Sequence, residues 1–118
     1  MTNRLVNYLR AQRKRVGLSQ REVAFLLGYA SEDAISQHEI FRSVPPLIMA
    51  FGYQAIFEVP ISELFAGLRE AVENSIENQI TEFENNLLSR IAKTKTKPSA
   101  ADLQKLKWLK TRRAGLRN

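Results

Sequence analysis

Hydrophobic residues in the first 65 positions recur at helical spacing, in short runs that end at turn-forming residues. Ser19 followed three positions later by Glu22 has the form of a helix-starting capping box, and Gly17 and Gly28 are typical helix stops. The pattern predicts five helices, over residues 3–16, 20–27, 32–40, 47–57 and 61–65. The helix over 47–57 is nearly all apolar and is expected to be buried. No run alternates as a strand does. The sequence therefore predicts an all-α fold.

Residues 66–93 carry a longer pattern with one apolar stripe and glutamates off it, which predicts a single acidic amphipathic helix. At 1.5 Å per residue this helix is roughly 40 Å long. A core of 65 residues is too small to cover an apolar stripe of that length, so the stripe needs a further partner surface. Self-association and folding back on the same chain are both open. The candidate oligomerisation residues are Leu68, Val72, Ile76, Ile80, Phe83, Leu87 and Ile91.

Residues 94–118 read as a lysine-rich linker followed by a basic amphipathic helix. Ser99 is a candidate cap, and the helix is predicted over residues 100–114. Its partner could be DNA, a membrane surface or an acidic protein face, including the acidic helix 66–93. The basic side chains are Lys105, Lys107, Lys110, Arg112 and Arg113. The predicted organisation is thus residues 1–65, 66–93 and 94–118.

Positive charge is concentrated at the C-terminal end. The net charge is +6, but residues 1–65 contribute only +1, whereas residues 93–118 hold nine basic residues and one acidic residue. Such a block attracts polyanions by counterion release. Nucleic acid is the predicted partner, and an anionic membrane surface or a solubilising role of the tail is the alternative.

Composition excludes several classes of site. The chain has no cysteine, which rules out disulfides, thiolate metal sites and thiol catalysis, and its only histidine is His38. No metal site, cofactor or catalytic set is predicted, so an enzyme is not expected. The N-terminus lacks the apolar core of a secretory signal. The most apolar stretch, residues 47–59, is too short to span a bilayer. We expect a cytoplasmic protein without a membrane span.

A family resemblance rests on residues within this first segment. Residues 9–65 resemble the lambda-repressor-like helix-turn-helix family, also called the xenobiotic-response-element type. The resemblance implies a five-helix DNA-binding domain followed here by a long C-terminal helical extension. It also implies a structural ion pair between Arg13 and Glu39. The matching residues are Arg13, Gly17, Leu18, Ser19, Gln20, Glu22, Val23, Ala24, Leu27, Gly28, Ile35, Ser36, Glu39, a proline at 45 or 46, and residues 61–65.

In this family the third helix enters the DNA major groove, and the residue that opens the second helix contacts the DNA backbone or a base edge. Two departures stand out: Ile40 and Phe41 replace a common glycine, and Glu32 and Asp33 place negative charge at the reading face. These acids either accept from cytosine N4 or only cap the helix. The implied DNA-binding residues are Gln20, Arg21, Ser31, Glu32, Asp33, Ser36, Gln37, Arg42 and Ser43.

The resemblance and the charge together predict a homodimeric, sequence-specific, double-stranded-DNA-binding regulator of transcription. The main alternative is an interaction protein, such as an antitoxin or a subunit of a mobile-element or phage-like assembly, that uses the helix-turn-helix as a scaffold. Non-specific nucleic-acid binding through the basic tail is a further alternative.

Overall fold

The computed structural model describes residues 7–116, without the side chain of residue 116. Over these residues the chain is helical with no strand, as the pattern predicts. The helices are α1 (Leu9–Arg15), α2 (Gln20–Leu27), α3 (Asp33–Glu39), α4 (Leu47–Phe57), α5 (Ile61–Leu64), α6 (Ala66–Lys93) and α7 (Ala100–Leu116). The bounds of α2, α4 and α6 agree with the predictions. The predicted start of the first helix, at residues 3–6, lies outside the described residues.

The chain divides into two compact units, the first ending at Val72 and the second starting at Glu73. The first unit extends past the predicted boundary at residue 65 because Leu68, early in α6, packs against its core. Its α1 packs on α3 and α4, while α2 packs on α3 and α4. The buried core side chains are Leu9, Val23, Ala24, Ile35, Ala50, Tyr53, Phe57, Leu64 and Phe65.

Backbone and proline chemistry sets the ends of the short helices. Pro46 and Pro60 occupy the N-cap positions of α4 and α5, where the missing proline N–H costs no helical hydrogen bond. The Tyr8 N–H donates to the Leu64 carbonyl at 2.8 Å. Asn7 donates from its side chain to the His38 carbonyl at 2.9 Å. These bonds fix the entry of the chain into α1 beside α3 and α5.

The outer face of α4 departs from the sequence prediction. Because α4 is apolar nearly all round, its pattern predicts a fully buried helix. The structure buries only Ala50, Tyr53 and Phe57. On the opposite side Leu47 is 70% exposed, Ile48 is 73% exposed and Phe51 is 52% exposed. The prediction was wrong for this face, since the described part of the first unit supplies no further layer to cover it.

The second unit is an antiparallel pair formed by α7 and the part of α6 from Glu73 onward. Arg90, near the end of α6, pairs with Asp102 at the start of α7, at 2.7 Å. Glu77, earlier in α6, pairs with Arg112 near the end of α7. This order of contacts requires the two helices to run in opposite directions. Among the described residues no helix combines the length and apolarity needed to cross a membrane.

Candidate nucleic-acid interface

Two consecutive helices and the turn between them form the candidate interface. Ser19 starts α2 with a complete capping box: its hydroxyl accepts from the Glu22 N–H at 3.0 Å, and Glu22 accepts from the Ser19 N–H at 2.8 Å. These bonds lower the pKa of Glu22. At the other end Gly28 has a φ of 84°, a left-handed conformation that glycine adopts without a steric penalty. The chain thereby turns out of α2 toward α3.

The inner side of this helix pair is anchored in the core. Val23 and Ala24 of α2 are buried, and so are Ile35 and His38 of α3. Nδ1 of His38 lies 2.8 Å from the Tyr53 hydroxyl. Burial lowers the pKa of His38 and raises that of Tyr53. Burial therefore favours the neutral form of this histidine, which is hydrogen-bonded behind α3.

The predicted ion pair between Arg13 and Glu39 is present. The Arg13 Nε atom lies 2.6 Å from Oε2 of Glu39, whose side chain is only 3% exposed. A second guanidinium nitrogen of Arg13 donates to Oε1 at 3.2 Å, and a third contact goes to the Leu18 carbonyl at 3.0 Å. The bond to Glu39 raises the pKa of Arg13. This network joins α1, the start of α2 and the end of α3.

Gln20 belongs to this network, which its sequence position does not reveal. Its side-chain nitrogen donates to Oε1 of Glu39 at 3.0 Å. An amide side chain has two N–H donors and one carbonyl acceptor. Among the described residues this side chain makes no other hydrogen bond, which leaves one N–H and the carbonyl oxygen of Gln20 for an external partner. The bond to Glu39 fixes the direction in which they point.

The remaining predicted contact residues lie on the outer side. Ser31, Glu32 and Asp33 are exposed at the start of α3. Glu32 occupies the N-cap position without a side-chain hydrogen bond to the helix. The Asp33 N–H instead meets the Ser31 hydroxyl at 3.4 Å, a long contact. The Glu32 side chain thus does not cap α3 through a hydrogen bond. Further along α3, Ser36 and Gln37 are half-buried.

At the end of α3, Phe41 takes the left-handed backbone conformation that the expected glycine would adopt. Phe41 has a φ of 60°. The Phe41 N–H donates to the His38 carbonyl at 3.2 Å, and the Arg42 N–H donates to the Gln37 carbonyl at 2.9 Å. This is the bonding of a Schellman motif, in which glycine usually holds the left-handed position. The half-buried Phe41 packs against the core, and Arg42 and Ser43 follow it, exposed.

The outer side carries no net charge among its predicted contact residues. Arg21 and Arg42 are balanced by Glu32 and Asp33. Arg21 approaches Glu32 to 3.9 Å, and both side chains are exposed, so this pair contributes at most about 1 kcal/mol. Long-range attraction to a polyanion has to come from other parts of the chain.

The basic tail is partly neutralised by α6. Arg112 pairs with Glu77, and Arg113 pairs with Glu84. The bond from Arg112 lowers the pKa of Glu77. Lys105 lies 4.0 Å from Asp102. The side chains of Lys107 and Lys110 are exposed. Of the alternatives for the basic helix, packing on the acidic helix of the same chain is the arrangement seen.

The predicted oligomerisation stripe is divided between different surroundings. Leu68 packs on the first core and Leu87 is buried in the second unit. Ile80 and Ile91 are half-buried. Val72, Ile76 and Phe83 remain between 43% and 50% exposed. Phe83 meets the Trp108 ring edge-on, with centroids 6.5 Å apart.

Comparison of the sequence with protein-family models gives no match, and comparison with curated proteins and with solved structures gives none either. The resemblance to the lambda-repressor-like family therefore stays a prediction from the residues.

Proposed function

We propose that the chain is a sequence-specific, double-stranded-DNA-binding regulator of transcription that acts as a homodimer. In this proposal α1 to α5 form a lambda-repressor-like domain, and α2 and α3 are its helix-turn-helix. The observation that carries it is the two-sided character of α3. Ile35, His38 and Glu39 fix its inner side, while its start and outer side present short polar and acidic groups.

Those outer groups have the chemistry of base-edge readers. Gln37 can make paired hydrogen bonds to adenine, and a carboxylate can accept from cytosine N4. Glu32 and Asp33 are exposed at the start of α3, the part of a recognition helix that reaches bases. Arg42 and Ser43 after α3, and Gln20 and Arg21 at the start of α2, are the proposed backbone contacts.

The test is selection from a random duplex pool with the full-length protein at near-physiological salt. An enriched inverted repeat with half-sites about 34–36 Å apart is the expected result. Gln37→Ala should then weaken binding to the selected site about tenfold or more, at about 1–3 kcal/mol per paired base contact. Gln104→Ala, on α7, is the matched control and should bind as the wild type does. Binding without enrichment would contradict sequence-specific recognition.

Gln20→Ala also removes the hydrogen bond to Glu39, so its melting temperature should fall. Its affinity is therefore measured well below that temperature, where the variant is folded. Arg13→Ala disturbs the same network without removing a proposed DNA contact. A loss of affinity in Gln20→Ala that Arg13→Ala does not show is assigned to a DNA contact of Gln20.

Exposed lysines of α7 are proposed to supply sequence-independent affinity. Deleting residues 94–118 would also remove α7 and its ion pairs with α6. Point variants that remove single positive charges are therefore the better test. A double variant, Lys107→Gln with Lys110→Gln, should weaken binding to the selected site and binding to unrelated DNA by the same factor. It should also reduce the slope of log K against log salt by up to about 1.8 per bound chain, at about 0.9 per lost phosphate contact. An unchanged slope would contradict this role.

The second candidate function is an interaction protein that uses the helix-turn-helix as a scaffold, as an antitoxin or a mobile-element or phage-like subunit does. The charge balance of Arg21 and Arg42 against Glu32 and Asp33 favours it, since this face has no net attraction for phosphate. Phe25 of α2, 80% exposed, supports it too. No DNA binding at all, together with a stoichiometric co-purifying protein, would establish this candidate over the first.

A further inference from the structure

The uncovered face of α4 has a regular arrangement of side-chain sizes. Leu47, Phe51 and Ala55 are spaced four residues apart, so they form a single ridge along the outside of the helix. All three are exposed, and Ile48 stands beside them. The ridge is large at its start, aromatic at its centre and small at its end.

This order of sizes is complementary to itself when reversed. We propose that the outer face of α4 packs against the same face of a second copy of the chain, antiparallel, with the two-fold axis beside Phe51. Leu47 of each copy then lies opposite Ala55 of the other, and the two Phe51 rings meet at the crossing. A two-fold interface requires such self-complementarity. Ridges four residues apart interdigitate in the commonest class of helix packing.

The charge pattern identifies the kind of partner. No charged residue stands between Arg42 and Glu58. An uncharged apolar face gains nothing from an acidic or basic partner, whereas a second copy presents the same uncharged surface. Homodimer interfaces are also more apolar than those between independent proteins.

The size of the face sets the strength of the contact. A standard interface takes about 800 Å² from each partner, and the largest apolar patch of a typical monomer is about 300–600 Å². A single ridge of three or four side chains belongs in the second range. The dimer should therefore be weak and should dissociate as the protein is diluted.

This assignment specifies the homodimer of the proposed function and places its contact on α4 rather than on the α6 stripe. Leu68 and Leu87 of that stripe are already covered within one chain. The dimer contact does not depend on DNA binding, and the tests below contain no DNA. Failure of DNA selection therefore leaves their result intact, and the reverse also holds.

Cysteine cross-linking tests the geometry directly, because the chain has no cysteine of its own. Helix axes 8–10 Å apart bring backbones at the crossing point within the reach of a disulfide. Under mild oxidation the full-length F51C variant should form at least tenfold more covalent dimer than F25C, whose parent side chain is more exposed. A mixture of L47C and A55C proteins should cross-link to each other faster than either does to itself. Equal yields for F51C and F25C would overturn the proposal.

Sedimentation equilibrium tests the contact without covalent chemistry. The wild-type protein should show a monomer–dimer equilibrium, F51E should be monomeric across the same concentrations, and F25E should dimerise as the wild type does. Circular dichroism of F51E checks that it retains its helices. A monomeric wild-type protein, or a dimer that survives F51E and is lost in I76E on α6, would overturn the proposal.

Discussion

Nine apolar side chains are buried together in the first unit, whereas the described part of the second unit buries two, Leu87 and Leu109. The second unit instead joins its helices by ion pairs from Arg90, Arg112 and Arg113 to carboxylates on the facing helix. Added salt does not screen apolar contacts, but it screens ion pairs that are exposed to solvent. The two units should thus respond differently to mutation, pH and ionic strength.

Natural chromophores report on the two units separately. Trp108 is the only tryptophan and lies in α7, while all three tyrosines, Tyr8, Tyr29 and Tyr53, precede α5. Tryptophan emission therefore follows the second unit, and the near-ultraviolet tyrosine signal follows the first.

The largest effect is expected from truncating the first core. Ile35 is fully buried at the back of α3. Ile35→Ala should cost about 2–5 kcal/mol of the first unit's unfolding free energy. Urea unfolding followed by the tyrosine signal measures it. Ile76→Ala, at a position 47% exposed on α6, is the matched control. Followed by the tryptophan emission of its own unit, it should cost well under half as much. Similar losses in both variants would show that burial does not distinguish the units.

The next effect concerns the ion pair behind α3. Arg13→Ala leaves Glu39 buried without its cation and should cost roughly 2–3 kcal/mol. Arg21→Ala is the control, since its contact with Glu32 is exposed and worth at most about 1 kcal/mol. Thermal unfolding of both variants decides the point. If Arg21→Ala were the more damaging substitution, the Arg13 network would not be what holds α3.

A smaller effect should follow pH. Burial lowers the pKa of His38, so the folded state favours the neutral ring, while the unfolded chain takes up a proton near pH 6.5. The corresponding stability is fully present above that pH and is lost as the pH falls below it. The urea midpoint of the first unit should therefore decrease between pH 7 and 5.5. In His38→Gln this decrease should be absent, and its persistence would assign the pH dependence to other groups.

The smallest effect is expected in the second unit. Glu84→Gln removes the charge that pairs with Arg113 and should lower the melting temperature followed by Trp108. The shift should diminish in molar salt, which screens the pair in the wild type as well. Glu82→Gln is the charge-matched control, since Glu82 is exposed and no ion pair involves it among the described residues. Equal shifts for Glu82→Gln and Glu84→Gln would contradict a specific pair.

Local chemistry made much of the fold predictable. The capping box at Ser19, the stop at Gly28 and the long stripe of α6 gave the bounds of those helices because each depends on neighbours in sequence. The burial of α4 was not predictable in the same way. An all-apolar pattern predicts that a helix is buried. Which of its faces are buried depends on how many other helices the chain packs around it.

The candidate site likewise has features that the sequence predicts and features that it does not. The pairing of Arg13 with Glu39 followed from the family resemblance, and the structure contains it. The hydrogen bond from Gln20 to Glu39 joins residues far apart in sequence, and no pattern of spacing predicts it. The missing glycine near residue 41 was visible as a departure. Its replacement by a left-handed phenylalanine could be found only from the backbone angles.

Phe41 would also affect the thermodynamics of the binding proposed at the end of α3. A left-handed non-glycine residue costs roughly 1–2 kcal/mol, and here its ring is held against the core, which opposes reorientation of the backbone. A glycine at this position would leave Arg42 and Ser43 free to sample many conformations before contact. With Phe41 in place their backbone is ordered in advance. A ligand that binds them therefore incurs a smaller entropy loss on association.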